Sequence, residues 1–586
     1  MFLRSVRLEG FRGLSCTVDL TSPLSVVVGE NNSGKSAVVD ALRSILWPAD
    51  GPQGRRWIRI EDFSHGADGK RATDQFEIDV VFEDLTPADE ASLVTCLSPS
   101  LEDGMARLRL RASVDRRGRV DQQFIGGDAE TPQVDRFARE AVEYVYLPPL
   151  RDAARDLAPG RGNRVATLLR ALAPEGDDDR TEMERIVGAA NRELEQVRSM
   201  RDAERSIEHH LLAMVSDHYA LPTDLRFAPA EFEAIVRTLR GHIGEIAELP
   251  LESTGLGMHN LLFMAVLLSS LRVGSESRLT VLLVEEPEAH LHPQIQDLLM
   301  RFLEAPDRAL ANIVEGRRGG GSVATPSESG EQQTRVQSIV TSHSPNFAAA
   351  AGAERMTVMA RANLRLIARS PARFGLEARD LDHLRRYLDV TKAALLFARG
   401  VILVEGIAEQ LVLPAIARRI DLPLHEFGVT VVNVEGLAFG PFVELFGSDR
   451  LPQRCALVTD GDAREGLDGE DLTLSASTMA LKERVASWAN VDVFNGMTTF
   501  ESELAEAGEW SVLMDALKKV HRRRATELSE SPPPDPAARG AALLDVLERN
   551  RSKGRFAQAL AKVLDDGATL TPPRYIADSI RFACRT

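Results

Sequence analysis

The stretch Gly29-Glu30-Asn31-Asn32-Ser33-Gly34-Lys35-Ser36 constrains this chain more than any other. It follows Leu24-Ser25-Val26-Val27-Val28, an apolar run that reads as a short strand, and precedes Ser36 to Leu46, whose pattern predicts a helix. G-x-x-x-x-G-K-[ST] between a strand and a helix is a phosphate loop. Its glycines let the backbone curl until the N–H groups face a polyphosphate. Gly29, Asn31, Asn32, Ser33 and Gly34 form the cradle, Lys35 reaches the β- and γ-phosphates, and Ser36 ligates Mg²⁺.

A second element supports the first. Thr280-Val281-Leu282-Leu283-Val284 reads as a buried strand running into Glu285-Glu286-Pro287-Glu288. An acid at the end of such a strand holds the metal and the next polarises the attacking water, so Glu285 is assigned to Mg²⁺ and Glu286 to water. Ser253-Thr254-Gly255-Leu256-Gly257 precedes an apolar helix from Asn260 to Leu271, and a Gly-rich turn at a helix start can bind anions. His343, in Thr341-Ser342-His343-Ser344-Pro345, follows a strand within reach of a γ-phosphate. A lone histidine is usually structural, so its role rests on its company. The order of these pieces resembles the ATP-binding-cassette ATPases of the recombination and chromosome-maintenance type. In that family the signature turn, here Gly255 and Gly257, faces ATP held by a second subunit, although Leu-Ser-Gly-Gly-Gln itself is not matched. His290 and His292 lie in what resembles that family's loop after the acidic strand. They read as a turn, because no third metal ligand accompanies them.

Composition sets bounds. The 586 residues correspond to three or four domains at roughly 150 residues each. A formal net charge of −17 excludes a uniformly basic DNA coat, but not a local positive groove. Cys16, Cys96, Cys455 and Cys584 form no Cys-x-x-Cys pair, which fits a reducing cytosol. The N-terminus lacks the apolar core of a signal peptide, and the longest apolar stretch, Leu261 to Leu271, is interrupted by Ser269 and Ser270. The expected location is the cytoplasm, with no membrane partner.

A new α/β unit begins around 390–400. Val401-Ile402-Leu403-Val404 reads as a strand ending in Glu405-Gly406-Ile407-Ala408-Glu409, and Ala456 to Thr459 as another ending in Asp460-Gly461-Asp462. Carboxylates gathered at strand ends repel one another unless divalent cations sit among them, and oxygen ligands suit Mg²⁺ or Mn²⁺. Glu405, Glu409, Asp460 and Asp462 are therefore the candidate metal ligands, with Glu405 placing water and Asp460 bridging the metals. The ordered set resembles the Toprim domain of topoisomerases, primases and certain nucleases. Glu435-Gly436 reads as a turn, Val491 to Phe494 as a further strand, and Glu501 and Glu503 as an additional acidic contribution. Lys553, just before a helix, is the candidate for neutralising the scissile phosphate. The basic run Lys518 to Arg524 reads equally as a phosphate contact or a solvated helix end.

Both sites in one chain resemble the OLD (overcoming lysogenization defect) family, an ATPase fused to a Toprim nuclease, in the class that includes the nuclease of the Gabija anti-phage system. The run Tyr387 to Gly400 leading into Glu405 carries the likeness strongly. The resemblance implies an ABC-type ATPase domain, with a helical insertion, followed by a Rossmann-like Toprim sheet. The expected division is 1–164 and 246–390 for the two parts of the ATPase, 165–245 for the helical insertion, and 391–586 for the Toprim unit with C-terminal helices. It also implies ATP and Mg²⁺ as cofactors, metal-dependent DNA cleavage, a homodimer or higher homo-oligomer, and a helicase-like partner. The 165–245 helices, with Met183, Ile186, Val187, Ala190, Leu194 and Val197 on one face, read either as a subdomain packing on itself or as a dimerisation arm. The competing function is a non-cleaving DNA repair ATPase or clamp with Toprim as a binding module. A topoisomerase or primase ranks below both, since only 5 tyrosines and no zinc-binding apparatus accompany the acidic set.

Overall fold

A computed structural model describes residues 1–21, 23–49, 54–66, 68–102, 104–131, 134–149, 164–173, 175–215, 224–239, 257, 261–266, 277–289, 291–304, 335–362, 365–436, 439–447, 449–461 and 474–585. Its described strands form three sheets. The first is antiparallel in the order β2-β1-β5-β6-β7, with β1 at Phe2–Phe11, β2 at Leu14–Asp19, β5 at Gln75–Glu83, β6 at Ala106–Val114 and β7 at Val120–Gly126. Along β6 and β7 buried residues alternate with more exposed ones, as expected of a sheet with one solvated face.

The second sheet runs β12-β11-β3-β10-β9-β8-β4. Here β3 is Leu24–Gly29, β4 Trp47–Pro48, β8 Val142–Leu147, β9 Leu279–Glu285, β10 Arg335–Ser342, β11 Met356–Ala362 and β12 Arg365–Arg369. Its central strands pair in parallel, and every residue of β3 and β9 is buried. That is why their sequences are continuous apolar runs without alternation. The third sheet is parallel, in the order β14-β13-β15-β16, with β13 at Gly400–Val404, β14 at Val429–Asn433, β15 at Arg454–Thr459 and β16 at Val491–Asn495.

The chain crosses from the second sheet to the third through a short 3-10 helix, Lys392–Phe397. One hydrophobic cluster runs from Val26 and Val28 through Leu395 and Leu396 to Leu403 and Leu457. The two sheets thus share a core across residues 391–400. On the other face of the third sheet, Ile402, Val404 and Val458 pack with Leu513, Leu560 and Ile580 of the C-terminal helices. Gly400 is required by that packing, since a Cβ there would lie 2.4 Å from the Ala583 carbonyl oxygen.

The helical region contains Asp178–Glu195 and Arg198–Val215. The first buries none of its residues, and Ile186, Leu194, Val197, Ile207, Leu211 and Met214 are all exposed. Among the described residues no helix is long and apolar enough to cross a membrane. The Gly/Ser/Glu-rich stretch Gly319 to Glu331, whose composition reads as a loop, lies outside the described residues.

Candidate functional site

Strand order puts β3, β10 and β9 side by side, so their C-terminal ends share one edge. Ligands of such sheets bind at that edge. β3 ends at Gly29 and the loop re-enters helix Lys35–Ile45. Gly29 has φ 153°, and a Cβ there would stand 2.4 Å from the Met359 carbonyl oxygen, so only glycine fits. Asn32 and Gly34 are left-handed at φ 61° and 92°. The exposed Asn31 sits at the tip.

The buried Lys35 ammonium donates to the carbonyl oxygens of Gly29 at 2.8 Å and Glu30 at 2.7 Å. Burial lowers its pKa, against the charges of Glu286, Glu288 and Glu30. The Ser36 hydroxyl, at the start of the helix, counters the rise of the Glu285 carboxyl at the end of β9. Glu285 is pushed up to about 7, first by burial and then by Asp40 and Glu286. Glu286 is left-handed at φ 46°, and its amide donates to the Thr341 carbonyl at 2.9 Å. His343 Nδ1 lies 3.5 Å from Glu286 and 3.6 Å from Glu288.

Glu288 is the residue sequence reasoning missed. It had been read only as part of the turn after β9. It is buried, and its Oε1 accepts from Ser342 Oγ at 2.7 Å and from the His343 amide at 3.1 Å, fixing the turn that carries His343. The pairing of Thr341 with Glu285 is what brings these segments together.

The donor set fits a magnesium-bound nucleoside triphosphate. Ser33 Oγ is buried without a protein partner, the space at Gly29 is held open by the lack of a Cβ, and the buried Glu285 carboxyl stands at the neighbouring strand end. Of the signature turn, Gly257 is a half-buried helical residue, while Gly255 lies outside the described residues, as does His290. His292 starts the turn into helix Pro293–Glu304, its Nδ1 accepting from the Gln294 amide at 3.4 Å.

The second site lies at the C-terminal ends of β13 and β15, neighbours in the third sheet. Glu405 follows β13 and accepts a hydrogen bond from Thr459 Oγ1 at the end of β15, next to Asp460. Its carbonyl receives the Gly436 amide at 2.9 Å, which gives the Glu435-Gly436 turn its job. Glu409 is buried in the first turn of helix Ile407–Arg419. It is pushed up to about 7 by burial, then by the charges of Glu501 and Glu405, with Lys553 pulling the other way. Gly461 is forced to be glycine, since a Cβ would sit 2.1 Å from the Gly496 carbonyl oxygen.

Glu501 and Glu503 separate by role. Glu503 Oε1 accepts from the amides of Met497 at 2.6 Å and Thr498 at 3.0 Å and holds the turn after β16. Glu501 is buried and faces Lys553, whose Nζ lies 3.5 Å from it and 3.4 Å from Glu548. Burial lowers the Lys553 pKa, but Glu501 and Glu548 more than offset this, so it stays cationic. Tyr575 was not anticipated. Its phenol is raised well above the usual value by burial, then by Asp460, Glu503, Glu409 and Glu501, which places it beside the acids. Among the described residues, no three acidic, His or Cys groups stand close enough to enclose a metal ion. Asp462, the expected fourth ligand, lies outside the described residues.

In the basic run, Lys518 pairs with Asp515 at 3.1 Å, Lys519 lies 3.8 Å from Asp566, and Arg523 and Arg524 share Glu527 at 3.0 and 2.5 Å. These exposed pairs place acids beside Lys518, Lys519, Arg523 and Arg524. A different cation ties the start of the third sheet to the phosphate loop. Arg399, the residue before β13, pairs with Glu30 of the phosphate loop at 3.3 Å.

A phosphate-loop ATPase sheet sharing its core with a parallel sheet that gathers strand-end acids defines a two-site protein, an ABC-type ATPase joined to a Toprim domain. The chain belongs to the AAA ATPase domain family, matched over 1–144 and 166–348, and its residues 396–462 match the TOPRIM domain of overcoming lysogenization defect protein-like proteins. It is 24% identical over 327 residues to the OLD nuclease of Thermus scotoductus, covering 53% of this chain and 58% of that protein. It is 23% identical over 196 residues to endonuclease GajA of Bacillus cereus, covering 32% of this chain and 28% of that one. The chain thus spans less than two thirds of these curated relatives. Among solved structures, the C-terminal region of the Burkholderia pseudomallei OLD protein matches 32% of this chain and 97% of its own, at 29% identity and a TM-score of 0.26.

Proposed function

We propose that this protein is an ATP-regulated, divalent-metal-dependent DNA endonuclease. What supports the reading is that Glu405 and Asp460 follow neighbouring parallel strands, with Glu409 in the next helix turn and under the charge of Lys553, in a sheet that shares a core with the ATPase sheet. Metal-dependent cutting of supercoiled DNA by the full chain is its test.

Glu405, Glu409, Asp460 and Asp462 are the residues that would hold Mg²⁺ or Mn²⁺. When bound, such an ion supplies Lewis acidity at the phosphoryl oxygen and lowers the pKa of water. Glu405 orients the attacking water and takes its proton. Lys553, kept cationic by Glu501 and Glu548, steadies the charge that grows on the phosphate. Water oxygen adds to phosphorus as its proton passes to Glu405, the bond to the 3′ oxygen breaks, and that oxygen takes a proton from bulk water. At the other site Lys35 holds the β- and γ-phosphates, Ser36 and Glu285 hold Mg²⁺, Glu286 polarises water, and His343 contacts the γ-phosphate. The setting we propose is anti-phage defence or DNA processing, with the helicase-like partner belonging to the same proposal. Phage plating on cells with and without the gene is the check.

The Arg399–Glu30 pair supports regulation by ATP. Both side chains are substantially exposed, so the pair adds only about 0–1 kcal/mol to stability. Arg399→Ala should therefore fold and hydrolyse ATP within about twofold of wild type. Its DNA cleavage should no longer respond to ATP, whereas cleavage by wild type does. Cleavage assayed with and without nucleotide checks this; an unchanged response in the variant rejects the link.

We also propose a homo-oligomer. The signature turn at Gly255 and Gly257 makes sense as an ATP contact when a second subunit presents ATP. The exposed apolar residues of Asp178–Glu195 and Arg198–Val215 offer a surface for that subunit. Light scattering should give at least a dimer with ATP. A strict monomer with and without ATP contradicts the assignment.

A further inference from the structure

Beyond the far end of helix Lys35–Ile45 lies a cluster that neither site uses. Arginines stack there on aromatic rings drawn from three separate segments. The Arg139 guanidinium lies 3.7 Å from the Phe124 ring centre and 5.2 Å from that of Trp47. Arg55 lies 5.5 Å from Phe124 and 5.2 Å from Trp57, and Arg136 lies 5.9 Å from Trp47. Stacking on ring faces holds guanidinium groups while leaving their edges available.

The charges there are not balanced. Among the described residues neither Arg55 nor Arg139 has a carboxylate within ion-pair distance. Arg55 donates to the neutral Gln122 side chain at 3.0 Å, and Glu140 is engaged by Arg136 at 2.7 Å. Arg139 Nε is buried with no hydrogen-bond partner. Burial, then the charge of Arg55, pushes the Arg139 guanidinium down to about 10. Two like charges held this close favour a bound anion. Beside them Trp57 is 63% exposed, a flat apolar face next to a cation.

We propose that this cluster binds single-stranded nucleic acid, with phosphates at Arg55 and Arg139 and an unpaired base stacked on Trp57. Cations beside one open ring match a phosphate next to an unpaired base along a strand. Paired bases keep their faces inside the duplex, so the ring selects single strands. A mononucleotide shares the chemistry, but the phosphate loop is at the opposite end of a helix roughly 16 Å long. The inference does not depend on whether the third sheet cuts DNA.

The test uses the full chain and a fluorescein-labelled 20-nucleotide oligo-dT, read by anisotropy, beside a duplex of equal length and ATP. Wild type should bind oligo-dT more tightly than the duplex, and binding should quench tryptophan emission. Trp57→Ala should weaken oligo-dT binding about tenfold, change duplex binding less than about twofold, and remove most of the quenching. Arg55→Lys, which keeps the charge but not the stacked plane, should weaken binding less than Arg55→Ala. The change at Trp57 is at an exposed position, and its thermal melt should match wild type. Oligo-dT binding equal in wild type and in the Trp57→Ala/Arg55→Ala double variant overturns the proposal. So does quenching by ATP but not by oligo-dT, or no oligo-dT binding by wild type.

Discussion

Asp460→Ala is expected to abolish DNA cleavage while ATP hydrolysis stays within about twofold of wild type. The loss should reach about 10³-fold or more, the scale seen when a group acting in the transition state is removed. Asp460 ends the central strand β15, and the residue before it hydrogen-bonds Glu405 on β13. Alanine there removes an acid from the meeting point of the two strands without touching the buried residues Cys455 to Val458 behind it. The phosphate loop belongs to another sheet, so its chemistry should survive. Nicking of supercoiled plasmid and phosphate release, measured on one preparation, read both sites. Retained nicking by pure Asp460→Ala protein would sink the assignment of this acid cluster.

The second large effect is expected at the first site. Lys35→Ala should remove ATP hydrolysis, because the ammonium that now spans the carbonyls of Gly29 and Glu30 is the group that meets the phosphates. Glu286→Gln should bind ATP with near-wild-type affinity and hydrolyse it about 10²-fold more slowly, since the amide keeps the shape but loses the charge that polarises water. Isothermal titration and phosphate release separate binding from turnover. Hydrolysis at the wild-type rate by Lys35→Ala contradicts the nucleotide reading.

Much of the first site was legible because its demands are local. A backbone that must curl needs Gly29 and Gly34, and the cation and hydroxyl follow directly as Lys35 and Ser36. Strand-end acids were legible for the same reason, as Glu285 and Glu405 each close an apolar run. What stayed hidden depends on pairing between distant segments. The buried carboxylate of Glu288 acquires its work from the register of β9 on β10. Glu501 and Glu503 look alike in the chain, yet one meets Lys553 and the other caps a turn. The Glu30–Arg399 pair joins the phosphate loop to the residue before β13, 369 positions away. The acids Asp515, Glu527 and Asp566 beside the basic run at Lys518 are set by helix packing as well as by spacing, since Asp566 lies far along the chain.

Cutting of DNA with a divalent metal is the activity that most directly separates a nuclease from a non-cleaving clamp. Supercoiled plasmid incubated with wild-type protein and Mg²⁺ or Mn²⁺ should become nicked and then linear. EDTA should stop the reaction, and added metal should restore it. Relaxed closed circles, or plasmid unchanged in the presence of either metal, would contradict the nuclease reading.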